Sequence, residues 1–529
     1  MKKMKKMSRN LSVSTKIQYK KIISIAQLTL ALKKIKTNPS TKLSGETNKE
    51  FNEEKVMNLH KELKSQTYQP KPIKRIEISK PYDAGFITVG IASQRDMVVQ
   101  TAILIELEPT LENIFSAHSF GFRPGKNCHD ALHDVKYCWQ NTTWLITIDI
   151  QKYFNTLNYK ILIKELYKYC DQATVEVLIK MLKCGYVNLE TNVKMIRLKN
   201  SKLEGSLISP ILNNLYFHAL DSFIENQLIK AWAFGEKKRF SSDYVMKKHL
   251  SVKDKLLLED YPELKGSVLN IKQTRWLLEE LSSRDPNDKK FRRLYYVRYA
   301  NDFLLGFCGT KKEAEGIKEE LVHFIQNDLK LAINFEKSKI YHAQDNNILF
   351  LGCYIRYLPN KIVTDKFHSS DYVVTHINQV INNASLKAPI NRLLEKAAEK
   401  NYAVKNLNGK FRATSKRSLV GLTEKEIVNI YSNIIRGILQ YYSCVNQRSN
   451  LWPVVSLYRK SCALTLADKL KLRTAAQTFK KFGPFLSIKD LTGKEVSRLH
   501  YPNSLKTNVN FKRGHANIDE FSCIYKYEI

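Results

Sequence analysis

The sequence predicts an α+β protein, with antiparallel strands in the middle of the chain and helices after them. Residues 294–307 form two short alternating runs that fold about Ala300-Asn301-Asp302, a pattern typical of a β-hairpin. Residues 143–150 alternate in the same way and predict another strand, which carries Asp149 near its end. Residues 423–472 instead repeat apolar side chains at helical spacing. Strands followed by helices favour the α+β class.

The composition indicates a large basic protein. Its 529 residues are enough for several domains, and 86 Lys and Arg against 51 Asp and Glu give a formal net charge of +35. An excess this large predicts a polyanionic partner. Nucleic acid fits better than membrane, because no apolar run reaches the ~18 residues of a membrane-spanning helix. Nine cysteines without paired spacing argue against a zinc ribbon or a disulfide framework.

The N-terminal 45 residues contain no acidic residue and are rich in Lys, Ser and Thr. This composition is typical of an organelle transit peptide. The apolar stretch 22–32 after a basic start also resembles a signal peptide, but polar residues interrupt it and Lys33-Lys34 follow, which argues against secretion. We favour a third interpretation, an amphipathic helix that faces RNA. A Lys-, Asn- and Ile-rich composition also suits an AT-rich organelle genome, in which case import is unnecessary.

Asp149 and Asp302 are candidates for a metal site. An acidic residue at the end of a buried strand needs a partner, because an unpaired buried charge is costly. If the two strands are adjacent, the two carboxylates can share divalent cations that clamp the attacking hydroxyl and the leaving pyrophosphate of nucleotidyl transfer. The alternative is that Asn301 and Asp302 simply form the turn, which both residue types favour.

Several short blocks follow one another along the chain in a fixed order. They are 89–102, 119–132, the Asp149 strand, 208–216, Tyr299-Ala300-Asn301-Asp302, 331–340 and 349–353. Together they resemble the motifs of group II intron-encoded reverse transcriptase/maturases, and residues 427–483 are similar to the maturase domain called domain X. The resemblance spans roughly residues 50 to 485. It implies right-hand polymerase-like fingers and palm of the reverse-transcriptase fold, followed by an α-helical thumb/maturase domain X.

The resemblance also implies domain boundaries. Residues 1–80 are expected to form a basic N-terminal extension and the start of the fingers, and residues 81–357 the fingers and palm. A charged insertion is expected at about 224–293 within this second region. Residues 371–489 correspond to domain X, and residues 490–529 to a short C-terminal tail without the family's endonuclease.

Functional residues carry over from the family position by position. The resemblance implies a catalytic group of Asp149, Asn301 and Asp302, with Mg²⁺ held by Asp149 and Asp302. It further implies nucleotide contacts from Phe154, Arg123 and Lys337. The RNA-binding candidates in domain X are Arg436, Arg448, Tyr458, Arg459, Lys460, Lys469, Lys471 and Arg473. Lys and Arg side chains interleaved with tyrosines suit RNA binding, because the tyrosines can stack on unpaired nucleobases and the cations can contact phosphates. The alternatives stay open: the tyrosines and Phe154 can pack in the core, and the basic residues can simply face solvent.

Three departures from the family pattern affect polymerase chemistry. The Tyr-x-Asp-Asp box reads Tyr299-Ala300-Asn301-Asp302, and an amide brings no negative charge to a cation that prefers carboxylates. Ile87 and Thr88 stand where the family has Arg-Pro, and Glu204 stands within a Pro-Gln-Gly-Gly segment that reads Leu-Glu-Gly-Ser. Losing a metal ligand and a triphosphate cation is expected to raise the barrier by roughly 3 kcal/mol or more each.

We therefore expect a group II intron maturase that binds its intron RNA and assists splicing, with weak or lost polymerase activity. Two alternatives remain open: an active RNA-directed DNA polymerase that supports intron mobility, and a general RNA chaperone. Host splicing factors are further candidate partners, and no membrane partner is expected. The expected location is the mitochondrion, with the plastid as the alternative, and the oligomeric state is left open.

Overall fold

The computed structural model describes thirteen stretches of the chain. They are residues 16–37, 52–79, 86–151, 157–188, 194–195, 206–236, 238–239, 288–345, 347–357, 361–368, 373–381, 384–490 and 492–506. Within these stretches no helix is long and apolar enough to cross a membrane.

Helices and strands are numbered here in chain order. The described α-helices are α1 Tyr19–Ile22, α2 Ile25–Thr37, α3 Glu53–Lys64, α4 Gln94–Glu112, α5 Cys128–His133, α6 Tyr159–Tyr169, α7 Gln172–Leu182, α8 Ser209–Phe223, α9 Ile229–Trp232, α10 Lys311–Asn327, α11 Ile390–Glu399, α12 Glu424–Tyr441, α13 Trp452–Lys469 and α14 Ala475–Phe482. The described strands are β1 Ile73–Ser79, β2 Phe86–Ile91, β3 Trp144–Thr147, β4 Asp149–Ile150, β5 Tyr186–Asn188, β6 Lys194–Met195, β7 Arg293–Tyr299, β8 Asp302–Cys308, β9 Ile333–Asn334, β10 Ile340–His342, β11 Ile348–Phe350, β12 Cys353–Tyr357, β13 Lys361–His368, β14 Val373–Ile381, β15 Ala384–Lys387, β16 Ala403–Lys405, β17 Phe411–Ala413, β18 Ile488–Lys489 and β19 Glu495–Ser497.

The chain divides into two compact units. The first unit comprises residues 1–124, 149–223 and 320–337, and the second comprises residues 125–148, 224–319 and 338–529. Each unit contains its own sheets: β2-β1-β5-β6 and β4-β9 in the first, and β10-β3-β8-β7, β11-β12-β15 and three two-stranded sheets in the second. The predicted mixture of helices with largely antiparallel sheets is confirmed.

The basic N-terminal helix is amphipathic, as the sequence predicts. Its buried side chains are Leu28, Ala31, Leu32 and Ile35. The Gln27 side-chain amide donates a 3.4 Å hydrogen bond to the Ala102 carbonyl of α4, and the Lys21 ammonium lies 2.7 Å from the Glu106 carboxylate. These contacts fix α1 and α2 on α4 in the first unit. A role in facing RNA remains a prediction.

The β-hairpin that the sequence predicts belongs to the larger sheet in the second unit, with β8 inside the sheet and β7 at its edge. Strand β8 lies between β7 and β3, and all three neighbouring pairs in the order β10-β3-β8-β7 are antiparallel. Because β8 has a strand on each side and packing on both faces, Phe303 to Cys308 are all buried. The alternating pattern of the sequence therefore does not leave β8 with an exposed face between Phe303 and Cys308. Gly306 is needed there, since a Cβ would lie 2.6 Å from the Trp139 ring.

In the helical C-terminal part, helix α12 begins with the predicted capping box. The Thr423 side chain accepts from the Glu426 backbone N–H, and the Glu426 carboxylate accepts from the Thr423 N–H. The buried face then follows helical spacing, and the Tyr431 hydroxyl lies 2.9 Å from Ser461 Oγ and 2.8 Å from Thr465 Oγ1 of α13. These side-chain bonds join α12 to α13.

The chain beyond residue 489 packs on the same helices. The Ser432 hydroxyl of α12 donates a 3.0 Å hydrogen bond to the Arg498 carbonyl, and the His500 N–H donates to Ser432 Oγ at 3.0 Å. Trp452 and Tyr501 also pack with their ring centres 5.4 Å apart. The helical domain thus continues past the predicted end at residue 489.

The two ends of the predicted insertion at 224–293 are among the described residues. Residues 224–232 continue in helical form, as the π-helical turn Ile224–Leu228 and α9. An antiparallel bridge then joins Phe234 to Arg292, whose guanidinium lies 2.9 Å from the Glu313 carboxylate. Most of the segment between these ends lies outside the described residues.

Candidate functional site

The hairpin tip holds the candidate catalytic residues in a tight two-residue turn. Tyr299 pairs with Asp302, so Ala300 and Asn301 make the turn, and Ala300 has a left-handed φ of 56°. Left-handed residues are the ones that two-residue hairpin turns require. Asn301 is half-buried and Asp302 is exposed. The tip therefore presents one carboxylate and one amide.

A buried arginine stabilises this tip, and the sequence interpretation did not single it out. Arg298 has no exposed surface, and its guanidinium donates a 2.8 Å hydrogen bond to the Ala300 carbonyl. A buried charge is tolerated only where its donors are satisfied. In the sequence, this role is indicated only by a charged residue inside an apolar strand, directly before Tyr299. We assign Arg298 a positioning role at the turn.

Asp149 begins the short strand β4 in the first unit. It is half-buried and stands opposite Asn334 of β9 in an antiparallel pair. The Asn334 side chain in turn accepts a 3.4 Å hydrogen bond from the Lys337 backbone N–H. The structure thus places Asp149 beside the turn that carries Lys337, whose side chain is exposed.

The predicted metal ligands belong to different units, Asp149 to the first and Asp302 to the second. Their shared cation therefore stays a prediction. The donors themselves suit Mg²⁺, which prefers carboxylate oxygens, and Asn301 can add only a neutral amide oxygen. The Phe154 and Glu204 predictions lie outside the described residues, and the side chains of Ile87 and Thr88 are not described either.

Arg123 occupies a structural position in the first unit. Its guanidinium is ion-paired with Glu112 and donates a 2.7 Å hydrogen bond to the Ser119 carbonyl, and the residue is 5% exposed. It also donates to the Ser116 carbonyl. These partners already use the guanidinium donors, so a contact of Arg123 with a nucleotide phosphate would require it to leave them, and this contact stays a prediction.

The RNA-binding candidates of the helical domain fall into two groups. Four of them are exposed: Arg436, Lys460, Lys471 and Arg473. Lys469 is half-buried, with its ammonium 3.9 Å from the Glu424 carboxylate. A solvent-facing cation can reach a phosphate without losing an internal partner, so the exposed group fits the predicted role best.

The other candidates are engaged within the fold. Tyr458 is 5% exposed and its ring packs 5.2 Å from that of Tyr402, so it would have to leave this contact to stack on an RNA base, and its RNA-binding role stays a prediction. Arg448 donates to the Leu439 carbonyl at 3.1 Å, and burial lowers the pKa of its guanidinium. Arg459 lies over two aromatic rings, with its guanidinium carbon 4.8 Å from the Phe479 centre and 4.4 Å from that of Tyr501.

The hairpin with its Asn301-Asp302 tip and the basic helical domain define a class of protein: a polymerase-type α+β domain joined to a helical domain. Comparisons with known families agree with this class. Residues 80–244 match the reverse transcriptase (RNA-dependent DNA polymerase) model, and residues 381–528 match the type II intron maturase model. The second match includes the chain after residue 489.

Similar proteins are found over most of the chain. A COX1/OXI3 intron 1 protein of Saccharomyces cerevisiae is 30% identical over 88% of this chain and 54% of its own length. A 91 kDa protein in a cob intron of Schizosaccharomyces pombe is 30% identical over 91% of this chain and 58% of its own length. The group II intron-encoded protein LtrA of Lactococcus lactis is 29% identical over 82% of this chain and 70% of its own length.

The chain thus carries a reverse-transcriptase match followed by a maturase match, and it is similar over most of its length to group II intron-encoded proteins. It spans about half the length of the yeast relatives that it matches. The family resemblance and the fold class that the sequence predicts are confirmed.

Proposed function

We propose that this protein binds a group II intron RNA and assists splicing by stabilising the catalytically active RNA fold. In this proposal the RNA performs the chemistry. The protein binds the active fold more tightly than misfolded forms and so shifts the population towards it. We further propose that the polymerase activity of the chain is weak or lost.

The exposed cations of the helical domain are the observation that carries this proposal. Arg436, Lys460, Lys471 and Arg473 are solvent-facing on the part of the chain that matches the maturase model. They belong to a chain whose formal net charge is +35. Lys and Arg side chains that neutralise phosphates release counterions, and this release favours binding to any folded RNA.

The proposed loss of polymerase activity rests on the hairpin tip. Asn301 supplies an amide where the family has a carboxylate, so a Mg²⁺ ion at this tip would meet one negative charge instead of two. Reverse-transcriptase chemistry requires divalent cations that stabilise the transferred phosphoryl group. Asp149 and Asp302 are the residues that would hold Mg²⁺.

A splicing assay tests the main proposal. Group II intron RNAs from the same genome are transcribed in vitro and incubated with the purified protein at a Mg²⁺ concentration too low for self-splicing. We expect one intron to splice far faster with protein than the others do. Replacing the four exposed cations by Gln should reduce that stimulation and weaken RNA binding. Equal stimulation of unrelated introns would instead indicate general RNA chaperoning.

The second candidate function is RNA-directed DNA polymerisation. It is favoured by one observation: Asp302 is exposed at the end of a tip that the buried Arg298 holds in place. Primer extension separates this candidate from the main proposal.

We propose the mitochondrion as the location, with the plastid as the alternative. The similarity to proteins of COX1/OXI3 and cob introns supports the mitochondrion. Host splicing factors are proposed as additional partners. Fractionation of organelles with an antibody against the helical domain tests the location, and proteins that co-purify with the complex test the partners.

A further inference from the structure

We propose that His133, Asp134 and Cys138 form a Zn²⁺ site at the helical turn that follows α5. One ligand atom from each side chain, an imidazole nitrogen, a carboxylate oxygen and the thiol sulfur, lies within 4.8 Å of the other two. The site lies in the second unit and is separate from the hairpin tip and from the exposed cations of the helical domain. It goes beyond the proposed function in RNA splicing.

The backbone geometry brings these three residues together. Residues Asp134–Cys138 form a π-helical turn, closed by a 3.3 Å hydrogen bond from the Trp139 N–H to the Asp134 carbonyl. In a regular α-helix residues five apart point to different sides, whereas the wider i→i+5 turn brings them to the same side. His133 and Asp134 can therefore both approach Cys138. Turns of this kind occur frequently at functional sites.

The three kinds of donor atom favour a metal ion of intermediate softness. Imidazole, carboxylate and thiolate are the protein ligands of Zn²⁺, whereas Mg²⁺ and Ca²⁺ take oxygen ligands. With Asp134 and Cys138 ionised and His133 neutral, the ligands balance the two positive charges of the metal. Three protein ligands leave the fourth tetrahedral position to water, and the exposed Cys138 gives the metal a path of entry.

The ligands stand on a fixed backbone. Asp134 is 4% exposed, and Cys138 Sγ lies 3.7 Å from Asp134 Oδ1. Within the turn, Val135 accepts a 3.2 Å hydrogen bond from the Tyr357 hydroxyl. The intervening cation, Lys136, donates a 3.1 Å hydrogen bond to the Cys444 carbonyl, so its ammonium already has a partner within the fold. Preformed ligands of this kind reduce the cost of metal binding.

A Co²⁺ titration tests the site, because thiolate-bound Co²⁺ gives a charge-transfer band and tetrahedral Co²⁺ gives visible bands. The full chain is reduced, freed of metal and titrated with Co²⁺ and then with Zn²⁺. We expect one equivalent to bind with a thiolate band, which Zn²⁺ displaces. Cys138→Ser should abolish that band, and His133→Gln should weaken binding by about 10- to 100-fold or more.

Two matched variants control for the other thiols and imidazoles. Cys184→Ser removes a half-buried thiol of the first unit, and His323→Gln removes an exposed imidazole. Both should leave the Co²⁺ spectrum and the affinity unchanged. Binding that persists with its thiolate band in Cys138→Ser, or that is lost equally in Cys184→Ser, would overturn the proposal.

A second measurement needs no variant and so does not depend on how the variants fold. Alkylation of individual cysteines in the unmodified protein is followed by mass spectrometry with and without one equivalent of Zn²⁺. The metal should slow alkylation of Cys138 by about tenfold or more and leave Cys184 unaffected, because a metal-bound thiolate is no longer free to react. Equal rates with and without Zn²⁺ would contradict the site, whatever the splicing assay shows.

Discussion

Arg459 and Lys460 are neighbours on α13 but lie in different environments. Arg459 packs within the fold, whereas Lys460 faces solvent. The Arg459 guanidinium contacts the Phe479 and Tyr501 rings, and its Nε donates a 3.1 Å hydrogen bond to the Pro484 carbonyl. Two cation–π contacts contribute about 0.5–1 kcal/mol each and the hydrogen bond about 1 kcal/mol. Arg459→Ala should therefore destabilise the local packing by about 2–3 kcal/mol.

Hydrogen exchange of residues 475–501 measures this loss locally, without assuming that the whole chain unfolds in one step. A loss of 2–3 kcal/mol corresponds to a fall in amide protection of about 30- to 150-fold. Lys460→Ala should leave protection unchanged and weaken RNA binding, since Lys460 is exposed. Unchanged exchange in Arg459→Ala, or an equal loss in Lys460→Ala, would refute this division of roles.

Three further predictions follow from the charge and the buried hydrogen bonds. The affinity for intron RNA should fall steeply with salt, and a flat plot of log affinity against log salt concentration would contradict phosphate neutralisation as the source of binding. Tyr431→Phe should destabilise α12 by about 1–2 kcal/mol, measured by hydrogen exchange, because the Ser461 and Thr465 hydroxyls lose their shared partner. Arg298→Met should raise amide exchange at the hairpin tip about tenfold or more through loss of its bond to Ala300, while RNA binding stays unchanged.

The sequence was sufficient for features that depend on neighbouring residues. The alternation on either side of Asn301 predicted the hairpin, and the spacing of Thr423 and Glu426 predicted the cap that begins α12. The structure contains both. Such features are set by backbone hydrogen bonds and side chains within a few positions, so a short stretch of sequence contains most of the information.

Features that depend on distant partners could not be predicted. Tyr458 and Arg123 have the chemistry of nucleic-acid contacts, but Tyr402 covers the first and Glu112 neutralises the second. Whether an aromatic or basic side chain faces inward is decided by tertiary packing, which residue type does not report. The His133-Cys138 cluster was also missed, because a five-residue spacing predicts convergence only if the helix widens into a π-turn.

We propose that the chain retains RNA binding while its polymerase chemistry is weakened at Asn301. Asn301→Asp restores a carboxylate at the tip and should recover primer extension only in part, since Ile87 and Glu204 remain. Adding Ile87→Arg to Asn301→Asp should raise extension above either change alone. Splicing stimulation should be nearly unaffected by these substitutions, because it depends on the exposed cations.

Primer extension by the unmodified protein on an RNA template with Mg²⁺ measures the polymerase activity directly. We expect little or no extension under conditions in which the same protein preparation stimulates intron splicing. Robust extension by the unmodified chain, abolished by Asp149→Ala, would contradict the proposed loss of polymerase activity and establish the chain as an active RNA-directed DNA polymerase.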